Sequence, residues 1–538
     1  MPQIETKSKM SKRVESYFQA TANIMKKIFT PTVLFILILG LGIFARVWEF
    51  PSLPLGLKQD EATIGIEAYD LLHFGKDRNG VSFPVNFISW GDGMDALYGY
   101  VLIPFVAFGL TPLTVRLPAL LSGILTLPLI YFIGLQSSGK TFGLLSMLLL
   151  AVSPWHILMS RWGLNETILP FVFSLGFVCL FLSSRLNGWF IAASVIFGLS
   201  LYSYGATYVA VPIFLACAIP ILILTNRVSK RNLVIGLIAF AALLVPILLF
   251  VLVNAFGWND MHIGPFTVPR MLSGSRLLNT SATSYTNPII TMIDNIRAMA
   301  KLLLVYQSDN HVWNAVEPFG YMYSFSIILA IIGSILLFPS RSSNYLPERL
   351  LILAWLLSAL CIGIFQYPNF NRIYLLFIPV TLSAAFFLTW MGERSKTVLA
   401  AVILVYLTSF YIFTNVYHGL PYRQLTVHAF HPGFIPALQD ARQSGDQEIC
   451  VTDTIFAPYI YVLFEEKMSP DAYLEQAVFK DPENRAGDLI SLGRYTFGRD
   501  NCLNNPEALY VLKSHEPPPD NGIDYQIKEY DDFRVYQP

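Results

Sequence analysis

Charge is what this chain has least of. Only 13% of its 538 residues are Asp, Glu, Lys or Arg, against about 25% in soluble domains. The shortfall is concentrated in long apolar runs, which excludes an ordinary soluble domain and points to the membrane class. Formal net charge is zero and no basic stripe is interleaved with aromatics, so nucleic acid is excluded as a partner. Five cysteines are too few for a disulfide scaffold. Cys179, Cys217 and Cys361 lie inside apolar runs. Cys450 and Cys502 lie in a polar region, where pairing depends on an oxidising compartment and on geometry. The histidines show no HExxH spacing, and no P-loop or dinucleotide fingerprint is present. No internal repeat is visible, so the weak half-to-half symmetry of many transporters is missing too.

The apolar runs are what is there. Lys7, Lys9, Lys12, Arg13, Lys26 and Lys27 precede the first run, Phe29–Trp48. That run is long enough to span, and no small-residue cleavage site follows it. It reads as a signal anchor with residues 1–28 in the cytoplasm. Ten further candidates follow: Pro112–Leu135, Thr141–Met159, Ile168–Ser184, Trp189–Tyr204, Tyr208–Thr225, Leu233–Val253, Tyr321–Phe338, Leu350–Phe365, Ile373–Trp390 and Val398–Phe413. One more run, Leu97–Leu110, is too short for a normal span. The positive-inside rule settles its place. If it does not cross, Lys140, Arg185, Arg227/Lys230/Arg231, Arg341/Arg349 and Arg394/Lys396 all fall in cytoplasmic loops. If it crossed, the Arg227–Arg231 loop would flip outward. The expected fold is therefore an α-helical polytopic membrane protein with about 11 transmembrane helices and outer-surface loop helices. A membrane domain occupies residues 29–414, with an outside loop at 49–111. Residues 415–538 turn polar, with strand-like Glu448–Thr452 and Leu509–Leu512, helix-like Ala457–Phe464, and a hairpin turn at Asp531-Asp532. They read as a small extracytoplasmic α/β domain.

The first outside loop contains Asp60-Glu61, followed by Ile64, Ala68, Leu71 and Leu72 at helical spacing. Asp60 fits an N-cap, because its carboxylate accepts from orphan backbone N–H groups. It also fits a catalytic base, and one residue can serve both ends. On the second outside segment, Arg161 and Glu166 read as an ion pair, and Arg161 is also a candidate substrate ligand. Alternatively, Glu166 converges with Asp60 on the outer face, an arrangement suited to taking a proton from an acceptor hydroxyl. Arg270 and Arg372 border apolar runs and are candidate ligands for an anionic head group, since Arg binds phosphate through two parallel bonds. Arg276, Arg297 and Lys301 share the Arg270 loop. For any of these, ordinary contact with lipid phosphates is the plainer alternative. Tyr202, Tyr204 and Tyr208 cluster at one span end, as interfacial aromatics often do; Tyr202 and Tyr204 are candidate groove residues. Asn165-Glu166-Thr167 and Asn279-Thr280-Ser281 are sequons.

Taken in order, these features resemble the GT-C superfold of polyprenyl-phosphate-sugar-dependent glycosyltransferases. The nearest group is the protein O-mannosyltransferases with the bacterial lipid A aminoarabinose transferase. The resemblance rests on Asp60-Glu61 with Tyr69 and Leu72, non-spanning Leu97–Leu110, Arg116-Leu117-Pro118, Ser153-Pro154-Trp155-His156, Tyr202–Tyr204 and Asn371-Arg372. It covers most of Ile28–Trp390. It implies that Asp60 is the base activating the acceptor, with Glu61 its acidic neighbour. Glu166 corresponds to the acidic residue of the second outside loop, and Arg270 falls in the loop that binds lipid phosphate. The implied donor is a polyprenyl-phosphate-linked sugar in the bilayer, transferred with inversion to a protein, lipid or glycan acceptor. No cofactor is implied, although acidic residues of some relatives hold a divalent cation. The expected location is a bacterial or archaeal plasma membrane. Two other enzyme roles, oligosaccharide ligase and polymerase, share this layout. A transporter or flippase of lipid-linked saccharide predicts ionisable groups buried mid-span, and the sequence offers almost none. A non-enzymatic assembly or receptor role would rest on the C-terminal domain.

Overall fold

A computed structural model describes residues 30–91, 93–184, 186, 188–272, 282, 287–338, 344–445, 447–481, 487–502 and 505–538. The basic residues of the N-terminal segment, Arg185, Arg276, Arg341 and the sequon Asn279-Thr280-Ser281 lie outside them. Among the described residues, seven helices are long and apolar enough to cross a membrane: Pro112–Ser138, Asn165–Leu182, Thr207–Leu224, Lys230–Phe256, Leu346–Phe365, Tyr374–Arg394 and Lys396–Tyr417. Each coincides with an expected span. The other four expected spans appear as shorter apolar helices, Pro31–Val47, Lys140–Ala151, Trp189–Ser200 and Ser324–Leu337. The chain is an integral membrane protein.

One short helix has a clear cause. The expected span Thr141–Met159 breaks at Ser153-Pro154, because proline has no N–H to donate and its ring clashes with the preceding turn. A new helix, Pro154–Met159, starts there. The carbonyls of Leu150 and Ala151 left at the break accept from the Arg46 guanidinium, both at 3.2 Å. Arg46 is fully buried in the first helix, where the sequence suggested almost no buried charge. Its bonds go to helix ends and to His156 Nδ1 at 2.6 Å. It joins two elements.

The short outer run forms a helix at Leu97–Val106, ten residues long. At 1.5 Å per residue it extends about 15 Å, half of a hydrocarbon core of about 30 Å. It packs beside the loop helix Gln59–Phe74, whose face from Ala62 to Leu71 is buried. Two two-stranded ribbons brace this layer. One pairs β1 (Asn86–Phe87) with β2 (Met94–Asp95), and the other pairs β3 (Met261–Ile263) with β4 (Phe266–Val268).

The C-terminal region is a seven-stranded mixed sheet flanked by helices. It contains β5 (Ile449–Val451), β6 (Ala477–Phe479), β7 (Leu489–Leu492), β8 (Tyr495–Phe497), β9 (Leu509–Lys513), β10 (Gln526–Tyr530) and β11 (Phe533–Gln537). Their spatial order is β10-β11-β9-β5-β8-β7-β6, with β5 parallel to both neighbours. The expected hairpin is present: Tyr530 pairs with Phe533, and Asp531 takes a positive φ of 49° in the turn. Cys450 and Cys502 are joined by a disulfide, with Cα atoms 6.2 Å apart. The strands β6 to β8 were not legible, being three or four residues long without strong alternation.

This sheet domain is fastened to the loop layer. Helix Pro458–Glu466 packs on Gln59–Phe74, and Tyr461 donates to the Leu57 carbonyl at 3.1 Å. Gly56 makes the join possible. Its φ is 78°, and an added Cβ would sit 2.2 Å from the Phe430 carbonyl oxygen. Glycine is the residue that tolerates both conditions.

Candidate active site

The N-terminus of the Gln59–Phe74 helix separates the two acidic residues. Lys58 is the N-cap and Glu61 the N3 residue, and the Lys58 backbone N–H donates to Glu61 Oε2 at 3.2 Å. The cap expected of Asp60 is therefore made by Glu61. Glu61 is 0% exposed. It also accepts from Arg116 Nε (2.8 Å), Arg116 Nη2 (2.8 Å) and the Gly163 N–H (2.9 Å). All four acceptor positions of the carboxylate are thus filled.

Arg116 is as fully used. Its Nη1 donates to the carbonyls of Pro51 and Pro54, and its Nη2 to that of Gly56. With the two bonds to Glu61, every N–H of the guanidinium has a partner. This buried pair ties the segment before the loop helix, the helix itself and the start of Pro112–Ser138 into one unit.

Asp60, one residue earlier, points elsewhere. Its side chain is 26% exposed, 3.5 Å from Lys58 Nζ, and opens into a cavity of about 370 Å³. Lys58 also lines the cavity, with its ammonium 3.6 Å from the centroid of Trp313 and 5.4 Å from that of Trp162. Two indole rings and one carboxylate hold this cation in place.

Glu166, Tyr204 and Arg372 line the same cavity. Glu166 is buried on the turn Asn165–Ile168. Arg372 is held by a bond from its backbone N–H to Asn369 Oδ1 (2.9 Å) and from Nη1 to the Tyr367 carbonyl (2.9 Å). The convergence of Asp60 with Glu166 is thus present in the fold.

Four other candidates are not cavity-lining. Glu61 is saturated as described. Arg161 is completely buried and donates to the backbone oxygens of Leu53 (3.1 Å) and Arg46 (3.1 Å). These carbonyls lie at and just beyond the end of the first helix, where no intrahelical N–H is left to serve them. Arg270 is exposed beyond the β3–β4 ribbon, with its backbone N–H donating to Asp260. Tyr202 donates its hydroxyl to the Leu243 carbonyl at 2.8 Å.

Sequence reading also missed residues that line the cavity. Asp95 on β2 accepts from Asn86 Nδ2 (3.2 Å), Asn165 Nδ2 (3.4 Å), the Gly205 N–H (2.9 Å) and the Tyr208 hydroxyl (3.3 Å). It knits three outside segments together at the cavity wall. Asp309, His311 and Trp313 come from an irregular stretch with no motif. Asn165 lines the cavity as well. Among the described residues, no group of three His, Cys, Asp or Glu side chains converges closely enough to hold a metal ion.

A second buried cluster supports the rim. Glu67, Asp70, Asp77 and Arg78 are all buried. Arg78 Nε lies 3.3 Å from Glu67 Oε1, and its guanidinium lies 5.6 Å from the Trp90 ring that borders the cavity. Burial, reinforced by the charges of Glu67 and Asp77, pushes the Asp70 carboxyl up to about 9. One arginine does not balance three carboxylates, so Asp70 is protonated at neutral pH.

Residues 88–262, about a third of the chain, match the family model described as dolichyl-phosphate-mannose-protein mannosyltransferase. That stretch contains Asp95, Glu166 and Tyr204 and begins after Asp60. The oligosaccharyltransferase of Archaeoglobus fulgidus, solved in complex with Zn and sulfate, superposes with a TM-score of 0.50 at 12% identity, over 80% of this chain and 61% of that one. The fold is the GT-C fold. The same archaeal enzyme, AglB, in complex with an inhibitory peptide and a dolichol-phosphate, matches with a TM-score of 0.48 and 12% identity, over 82% and 64% of the two chains. ArnT from Cupriavidus metallidurans bound to undecaprenyl phosphate matches with a TM-score of 0.48 and 15% identity, over 94% and 97%. The chain spans less than two thirds of the length of the archaeal structures it matches. A comparison with curated proteins returns no match. The cavity sits where the loop helix, the second outside segment and the stretches 309–314 and 366–372 meet.

Proposed function

We propose that the protein is a membrane glycosyltransferase that moves a sugar from a polyprenyl-phosphate donor to an acceptor hydroxyl. The observation that carries this reading is the division of labour at Asp60-Glu61. Glu61 makes the cap and the buried pair, which leaves the Asp60 carboxylate directed into a polar cavity beside a fixed cation. The match to mannosyltransferases that use dolichyl-phosphate-mannose supports the donor class.

In this reading Asp60 takes the proton from the acceptor hydroxyl as its oxygen attacks the anomeric carbon. The bond from that carbon to the phosphate oxygen breaks, and the electron pair leaves with the lipid phosphate. Attack from the face opposite the phosphate inverts the centre. Lys58 and Arg372, the Lys and Arg side chains of the cavity wall, stabilise the charge that develops on the phosphate. Asp60 then releases its proton to the phosphate or to water. Glu61 and Arg116 position Asp60, and Asp95 and Glu166 shape the sugar and acceptor sides. The Cys450–Cys502 disulfide supports an extracytoplasmic site, since such bonds persist in oxidising compartments. The bacterial or archaeal plasma membrane remains the proposed location.

The test is Asp60→Asn in detergent-solubilised protein supplied with polyprenyl-phosphate-mannose and hydroxyl acceptors. Transfer is expected to vanish while expression and melting stay unchanged. Asparagine keeps the shape but cannot hold the proton. Wild-type transfer in this variant would remove Asp60 from the chemistry.

A further inference from the structure

A second cavity, of about 340 Å³, lies in the sheet domain. It is lined by the segment Asp453–Tyr459 that follows β5, with Lys480, Asp488, Leu489 and the β8 residue Phe497. Its position in the sheet is informative. The chain leaves β5, returns as β8 on one side, and then crosses to β9 on the other, with all three strands parallel. In such sheets the connections diverge at the carboxyl end of the middle strand and leave a crevice there, where ligands bind.

We infer that this crevice binds a polyhydroxylated, uncharged saccharide segment of the acceptor. The inference rests on the glycosyltransferase reading and names the acceptor class for it. Three observations carry it. The first is the charge pattern. Lys480 Nζ lies 4.0 Å from Asp453 and 3.9 Å from Asp488, and all three side chains are roughly half-exposed. Alternating carboxylate, ammonium and carboxylate groups offer both acceptors and donors to sugar hydroxyls. Among the described lining residues, two acids against one base leave a net negative site, which disfavours phosphates, nucleotides and acidic lipids.

The second is an aromatic platform. Phe456 is 58% exposed at the cavity rim. Its ring can cover the C–H face of a sugar, an apolar contact that leaves the hydroxyls free for Asp453 and Asp488. The third is continuity. Phe456 meets Trp90 edge to face with centroids 4.7 Å apart, and Trp90 lines the Asp60 cavity. The two cavities thus share an aromatic rim. A glycan chain held in the crevice crosses that rim and presents its terminal hydroxyl to Asp60.

The experiment is retention of the full-length, detergent-solubilised protein on an array of neutral and acidic oligosaccharides, without donor. Wild-type protein is expected to be retained on neutral oligosaccharides. Phe456→Ala and Asp453→Asn should each weaken retention by about ten-fold or more, and Phe456→Tyr, which keeps the ring, should preserve it. Thermal melts of each variant separate lost binding from lost folding. Retention only on acidic glycans, no retention at all, or retention indifferent to both Asp453→Asn and a folded Phe456→Ala would overturn the inference. Release of polyprenyl phosphate from polyprenyl-phosphate-mannose is read in a separate assay. Its failure, or its independence from Asp60, counts against the transferase reading and leaves the glycan result standing on its own.

Discussion

Replacing Glu61 separates scaffold from chemistry at the acidic pair. In Glu61→Gln the side chain keeps its shape but changes its bonding. All four present partners are donors: two Arg116 nitrogens and the backbone N–H groups of Lys58 and Gly163. An amide offers one oxygen and one NH2, so two of the four bonds become donor against donor. The charge opposite the buried Arg116 also disappears. Losing two bonds, at about 1–3 kcal/mol each when buried groups are left unpaired, gives roughly 3 kcal/mol. Glu61→Ala removes all four and strands the guanidinium, for about 3–5 kcal/mol. Unfolding entropy of about 2.1 cal/mol/K per residue converts this to about 1 °C per kcal/mol for a chain of this length. Melting should therefore fall by about 3–5 °C. Spans that stay helical reduce that entropy, so this is a minimum. Differential scanning fluorimetry in detergent reads the shift, and transfer measured well below the melting point should survive in part. A Glu61→Gln protein that melts like wild type yet loses transfer as completely as Asp60→Asn would refute the scaffold role and return Glu61 to the chemistry.

Three further outcomes are expected. Lys58→Ala should lower the transfer rate by about 100-fold, the scale of removing one donor to developing negative charge, and a change confined to KM for the acceptor would contradict its place at the phosphate. Arg161→Gln should lower the melting temperature without raising KM for the donor, because its bonds go to Leu53 and Arg46 and not to the cavity; a selective rise in donor KM would reinstate it as a ligand. Asp70 has a carboxyl raised in the fold to about 9 from an unfolded value near 3.8. Its contribution to stability is therefore fully present below about pH 4 and is lost as pH rises towards 9. Asp70→Asn removes that dependence, so the variant should gain on wild type between pH 5 and pH 8. Parallel melting curves across that range would show that Asp70 is not buried neutral.

The membrane layout was largely legible because span length and loop charge are set by the bilayer, not by tertiary detail. The same logic placed Leu97–Leu110 outside the set of spans, and the ten-residue helix Leu97–Val106 agrees. In the sheet domain, β5, β9 and the β10–β11 hairpin were visible from composition and a turn. The short strands β6 to β8 draw their stability from neighbours and left no local signal. At the site, sequence could say which face a residue falls on but not where its side chain points. Asp60, Glu166, Tyr204 and Arg372 reach the cavity; Arg161, from the same face, is drawn inward by unpaired carbonyls, and Arg270 is carried away on a ribbon. Asp95 and Lys58 escaped notice for the converse reason. One sits on a two-residue strand, and the other reads as a helix neighbour until Trp313 and Trp162 close around it.

The most direct measurement is single-turnover transfer from radiolabelled polyprenyl-phosphate-mannose by wild-type and Asp60→Asn protein, each verified as folded by its melting curve. The expected result is product from the wild type, none from Asp60→Asn, and partial product from Glu61→Gln. Equal product from Asp60→Asn and wild type would contradict the assignment of Asp60 as the base.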